Sequence, residues 1–273
     1  MRKLKDGLAT GLIWIAGAIT GFILLWIVFY VVINGIGELN VAFLFGNGDE
    51  KGLIPMIIST VYIIALSLVI AAPLGILSAI YLVEYAKQGR LVRTIRFSIE
   101  CLASIPSILY GLFGLIFFVT ICKLGFSLLS GAFTVSIMIL PTIIRTVEEA
   151  LKTVPKSYRE GSLGLGATKI RTITKVVIPS SISGIVTSLI LSVGRIIGET
   201  AAILLTAGMV ARTPTSIMDS GRTLSVHLYY LAKEGISFEK AFATATVLLA
   251  VVLVLNLSTK SFTRWIEKKN GLI

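Results

Sequence analysis

Residues Glu160–Pro179 read EGSLGLGATKIRTITKVVIP. Positions 161–168 spell Gly-x-x-x-x-Gly-Ala-Thr, one residue away from the phosphate-cradling Gly-x-x-x-x-Gly-Lys-Ser/Thr loop, with Ala167 where the lysine belongs. That loop needs a β-strand before it and a lysine on the terminal phosphates. Here a proline-punctuated helical stretch precedes Gly161, and no strand offers an aspartate for magnesium. The glycines therefore serve a turn. Pro155 stops or kinks a helix arriving from upstream. Ser157-x-x-Glu160 has the spacing of a capping box for a new short helix. Gly161, Gly164 and Gly166 limit its length, Thr168 can cap a second helix over roughly 169–178, and Pro179 breaks the pattern. The expected unit is helix, tight turn, helix at a membrane surface. Its small residues suit docking into a cleft on another protein, because glycine lets backbones approach.

The membrane expectation rests on composition. Of 273 residues, 55% are hydrophobic and 14% charged, against about a quarter charged in soluble domains; the mean hydropathy is +0.93. A spanning helix needs about 20 mainly apolar residues. Six runs qualify, 11–33, 54–82, 100–121, 126–144, 180–207 and 241–258. The first follows Arg2, Lys3 and Lys5 and is longer than the roughly 7–15-residue core of a signal peptide, so it is expected to be a retained span. With the N-terminus inside, eighteen of the 25 Lys and Arg fall on inner segments and six, Lys51 among them, on outer ones; Arg195 lies within a span. This is the positive-inside bias. It accounts for most of the net charge of +11 without nucleic acid. The expected fold is all-α and polytopic, with six spans and both termini cytoplasmic. Residues 1–10 form a cytoplasmic N-terminus, 11–53 the first helix and an external loop, 54–258 a five-helix domain with a cytoplasmic loop at 145–179, and 259–273 a basic tail. Cys101 and Cys122 sit near the two ends of one run and cannot pair within a helix. The lone His227 has no metal-binding company, so no metal site is expected.

A second stretch, SVGRIIGETAAILLTAG at 192–208, puts charge inside a span. A central Arg or Glu costs about 3 kcal/mol on insertion scales. Arg195 and Glu199 lie one turn apart, and the i,i+4 spacing puts them on one face, where they partly neutralise each other. Gly184, Ser188, Ser192 and Thr206 extend that face into a polar stripe. Two roles fit. One is an intrahelical ion pair that fixes packing. The other is a pathway lining of Arg195, Glu199, Ser188 and Ser192, in which the Arg195 fork meets a passing oxyanion. In SIPSILYGLFGL (104–115), Ser104, Ser107, Gly111 and Gly114 recur at helical spacing and suggest close helix packing, with a bend at Pro106. Glu84 and Glu100 read as interfacial.

Glu160–Pro179 resembles the EAA loop of ABC-transporter permeases, Glu-Ala-Ala, three residues, Gly, nine residues, Ile-x-Leu-Pro. Glu160, Gly166, Val176, Ile178 and Pro179 match in spacing; Gly161 and Ser162 replace the alanines. PSILYGLFGL and GRIIGETAAILLTAG narrow the likeness to phosphate-specific permeases, the A subunit (PstA) more than its C partner. The resemblance implies the type I importer permease fold in a cell membrane. It also implies a coupling helix carrying Ser157, Glu160, Gly161, Leu163, Gly166, Ala167 and Pro179. It implies as partners a second phosphate permease in a heterodimer, an ABC ATPase dimer and an extracytoplasmic phosphate-binding protein, all set in membrane lipid. This chain would then be a transport subunit that binds no cofactor, with ATP and Mg used by the partner ATPase. Within the class, a C-type phosphate permease or a sulfate, molybdate or phosphonate permease is the alternative. A stand-alone secondary transporter would not need an EAA-like loop, and an intramembrane enzyme would need a nucleophile–base pair that the spans lack.

Overall fold

The computed structural model describes residues 2–46, 52–87 and 89–269. Lys51 and residues 270–273 of the basic tail lie outside them. Among the described residues all regular structure is helical. Four single helices are long and apolar enough to cross a membrane, Thr10–Ile36, Ile54–Tyr85, Leu128–Thr153 and Phe238–Ser261; counting each of two bent pairs as one span brings the number up to six. Six runs were expected, but two of them are not straight.

Helix α1 (Arg2–Ile36) is apolar on every side over Thr10–Ile36, and among its described residues only Gly35 is buried by the rest of the chain. Such a helix belongs in hydrocarbon. It leans on α13 (Phe238–Lys269), where Gly35 admits the Phe242 carbonyl and Thr246 Oγ1 donates to the Val31 carbonyl at 3.3 Å. After the short α2 (Val41–Phe45), the centre of the molecule is the pair α3 (Ile54–Ile80, extended by a wide π turn at Tyr81–Tyr85) and α6 (Leu128–Thr153). With no hydrophobic drive between helices in lipid, close packing and hydroxyl bonds hold them. Ser67 Oγ donates to the Ala132 carbonyl at 3.3 Å and Ser136 Oγ to the Ser67 carbonyl at 3.1 Å. Gly75 leaves room for Ile143, whose Cβ would lie 3.0 Å from any methyl placed there.

The third span is α4 (Arg90–Ser104) followed by α5 (Ser107–Gly114, continuing as a π helix over Leu115–Ile121), and the two are bent by 97°. Pro106 lacks an N–H and forces Ile105 to φ −69°, ψ 130°. Tyr110 Oη then donates to the Leu102 carbonyl at 2.6 Å across the corner. Ser104 is thus cut off from the small face of α5. Only Gly111 and Gly114 pack as expected, against Ala202 and against Thr134 and Thr206. Cys101, one turn before the corner, and Cys122, just past the end of the π helix, are exposed and free.

The expected fifth span, 180–207, is two helices, α10 (Ile182–Ile197) and α11 (Ala201–Thr206). Before them, the chain runs through α7 (Lys156–Gly164), α8 (Lys169–Thr172, extended by a π turn at Ile173–Val177) and α9 (Ile178–Ser180), and bends by 65° into α10. After α11 an irregular loop leads to α12 (Leu224–Lys233). This loop closes the N-terminal end of α6: Leu128 and Leu129 N–H donate to the carbonyls of Asp219 and Ile217, both at 2.9 Å. The Asp219 carboxylate accepts from Thr215 and Ser216 N–H, which holds it below the usual carboxylate range.

Candidate functional site

The α6–α7–α8 segment gathers most of the named residues of the glycine loop. Helix α6 runs past the apolar limit at 144 to Thr153 and stops before Pro155, as expected. The capping box does not form. Pro155 itself stands at the N-cap with no side-chain cap, and Ser157 falls inside the first turn. Helix α7 continues through Gly161 and ends in a Schellman turn: Ala167 N–H donates to the Ser162 carbonyl (3.2 Å) and Gly166 N–H to the Leu163 carbonyl (2.9 Å). Gly166 has φ +82°, a region side chains with a Cβ resist. The amides that a phosphate loop would turn outward are therefore spent on α7. Thr168 Oγ1 accepts from Arg171 N–H at 3.3 Å and starts α8, as expected. Glu160, Gly161 and Leu163 are exposed, Ala167 and Pro179 half-buried. Leu165 at the apex is 91% exposed and Tyr158 and Ile170 are also bare. Apolar side chains with nothing against them at a turn apex mark a surface built for contact. Leu165 is legible in the sequence as a lone leucine between Gly164 and Gly166.

Arg159 was not singled out by its sequence context. Its guanidinium donates to Glu84 Oε1 (3.0 Å from Nε, 2.7 Å from Nη2), to the Val154 carbonyl (2.7 Å) and to the Leu151 carbonyl (2.9 Å). Both charged side chains are largely buried, at 18% and 9% exposure. Glu84 is 75 residues away in sequence, so no local pattern could announce the pair. Nearby, Arg96 and Lys152 pair with the buried Glu148, and Arg145 with Glu100.

Arg195 and Glu199 do not pair. Gly198 ends α10, and Glu199 Oε1 accepts from Ala202 N–H at 3.0 Å to start α11. Ser225 Oγ donates to the Glu199 carbonyl at 2.6 Å, taking an acceptor that a continuous helix would use. Arg195 is half-buried and points its Nη1 to Thr142 Oγ1 at 3.4 Å. Among the described residues no carboxylate lies within ion-pair distance of it. Thr142 sits fourteen residues along α6, roughly 21 Å from its N-terminal end, well inside a core about 30 Å thick. Beside Arg195, a Cβ added at Gly194 would meet no atom within 4 Å, and Gly198, Leu191 and Thr187 continue this bare edge. Ser188 and Ser192 lie on the buried flank of the same face of α10, with their hydroxyls donated to the Ile185 and Ser188 carbonyls.

A fold of four to six spans, a glycine-turned hairpin at the basic end and an unneutralised guanidinium at depth can be set against known proteins. Residues 71–271 match the family described as the binding-protein-dependent transport system inner membrane component. The chain belongs to this family of ABC permeases. Within it, the chain is a PstA-type permease: it is 34% identical to the phosphate transport system permease protein PstA of Pasteurella multocida, over 96% of this chain and 95% of that one. It is also 34% identical to the probable ABC transporter permease protein YqgI of Bacillus subtilis, over 98% of each. In fold, the permease resembles a chain of the bacterial alginate ABC transporter (TM-score 0.70, 16% identity, 93% of this chain and 96% of that one). It also resembles one of the MetNI methionine transporter (TM-score 0.62, 20% identity, 79% and 94%). The permease is a multi-pass membrane protein and a transport component, not an enzyme.

Proposed function

We propose that this permease carries phosphate inward as the A-type subunit of an ATP-driven importer. The observation that carries the reading is the half-exposed Arg195 guanidinium, unneutralised by Glu199 and set deep in the span beside a bare glycine edge. Phosphate is an oxyanion, and a guanidinium fork matches two of its oxygens. The near full-length likeness to a PstA chain points to the same substrate.

In this reading the end bearing α7 faces the cytoplasm, as do both termini, in keeping with the excess of Lys and Arg there. The bare edge of α10 meets a second permease, and the pathway runs between the two. Glu160, Gly161, Leu163 and the Gly166 turn seat α7 on an ABC ATPase dimer, where ATP and Mg are bound and used, with Ser157 and Ala167 supporting the turn and Pro179 the return to the span. A phosphate-binding protein delivers substrate from outside. Closing of the ATPase pair moves α7, rocks the spans and switches which side Arg195 faces. Glu199 serves by capping α11, which fixes the wall next to Arg195.

The experiment is uptake of radiolabelled phosphate in cells lacking their own phosphate importers, with this chain co-expressed with the ATPase, second permease and binding protein that co-purify with it. ATP-dependent uptake that excess sulfate, molybdate or phosphonate does not compete away supports the reading. Uptake of one of those anions instead, or uptake without any ATPase, overturns it.

A further inference from the structure

We propose that Arg159 is the positioning residue that locks α7 to the α3–α6 pair, so that a push on α7 becomes a movement of those two helices; the role as transmitter rests on the coupling reading above. Helix α7 is nine residues long and buries no residue fully. Packing alone therefore gives it little hold. Arg159 supplies the hold through three acceptors on two different helices. Glu84 belongs to the π turn that ends α3. The carbonyls of Leu151 and Val154 belong to the last turn of α6 and its cap, where a helix leaves its carbonyls without internal donors. A planar fork reaches all three at once, which a single ammonium point does not. Because the pair is largely buried, the contacts are little screened by water or salt.

Two further ties close the joint. Ser162 Oγ and Thr172 Oγ1 are 2.9 Å apart across the hairpin, so α8 follows α7. Lys169 Nζ lies 4.5 Å over the Tyr85 ring, beside Glu84. Beyond the joint, α3 and α6 are fixed to each other by the Ser67 and Ser136 hydroxyl bonds and the Gly75–Ile143 contact. Displacing α7 therefore drags α3 and α6 as one body.

Two measurements test this. Hydrogen–deuterium exchange on the purified full chain needs no partner and no substrate. In Arg159→Gln and in Glu84→Gln, amides of 156–164 should exchange about tenfold faster while those of 128–147 stay unchanged. In the reconstituted importer, both variants should still bind the ATPase but move about tenfold less phosphate per ATP hydrolysed. Arg159→Lys should fall between, and Arg159→Glu combined with Glu84→Arg should recover part of the loss. Unchanged exchange at 156–164 overturns the joint. Faster exchange with an unchanged ratio of transport to hydrolysis overturns the transmission. If Arg159→Gln does not assemble, Glu84→Gln decides by the same two readouts. A wild-type complex that carries no phosphate would sink the proposed function, and the exchange result would still read the joint.

Discussion

The guanidinium of Arg222 lies 3.3 Å from His227 Nδ1 and 4.3 Å over the Tyr230 ring, and both Arg222 and His227 are buried. This knot, with Arg222 Nε donating to the Met209 carbonyl at 2.8 Å, ties α12 to the loop after α11. Burial first, and the Arg222 charge second, push the His227 pKa down to about 4.

A histidine whose folded pKa is depressed binds fewer protons folded than unfolded between about 4 and 6.5. The stability it contributes is therefore complete above pH 6.5 and is lost as pH falls toward 4, by about 3 kcal/mol at most. Thermal unfolding of the purified chain in detergent should show its midpoint dropping across that window. In His227→Gln the drop should shrink.

Gly166 requires φ +82°. Asparagine tolerates this region and a β-branched residue does not. Gly166→Asn should retain ATPase association and most uptake, while Gly166→Val should lose both although the protein still inserts. Pull-down of the ATPase with each variant checks this; equal binding by the two would show that the turn geometry is not what docks.

A Cβ at Gly114 would overlap Thr134 Oγ1 and come within 2.7 Å of Thr206 Cγ2, at the meeting of α5, α6 and α11. Gly114→Val should destabilise the fold by about 1–3 kcal/mol, seen as a lower melting temperature. At Gly194, where a Cβ meets nothing in this chain, the same substitution should leave the isolated chain's melting temperature unchanged and weaken association with the second permease.

Arg195→Gln removes the charge beside the bare edge but keeps a polar side chain there. Phosphate uptake should fall by at least about tenfold, equivalent to about 1.4 kcal/mol, with complex assembly unaltered. Wild-type uptake in this variant would leave Arg195 as a packing residue.

How much of this was legible depended on how local the cause was. Apolar runs gave the six spans because bilayer thickness sets their length, and Pro106 marked a corner because its missing N–H acts on its neighbour. Gly166 was readable for the same reason. The break at Gly198–Thr200 was not. GRIIGETAAILL is a sound helix pattern, and what interrupts it is Glu199 capping forward and Ser225, 26 residues on, taking its carbonyl. The stripe of Ser188 and Ser192 looks polar in the sequence, yet both hydroxyls bond their own helix backbone, which residue type alone does not announce. Arg159 stayed hidden because its partner lies on another span.

The 97° corner at Ile105–Pro106 leaves only the residues from Ser107 to Ile121 to rise through the bilayer on that side. At about 1.5 Å per residue they cover roughly 22 Å, against a hydrocarbon core of about 30 Å. The helical rise past the corner is thus about a quarter shorter than such a core. In the proposed phosphate pathway, a low-dielectric slab of that reduced thickness lowers the self-energy an anion must overcome, before any side chain touches the substrate.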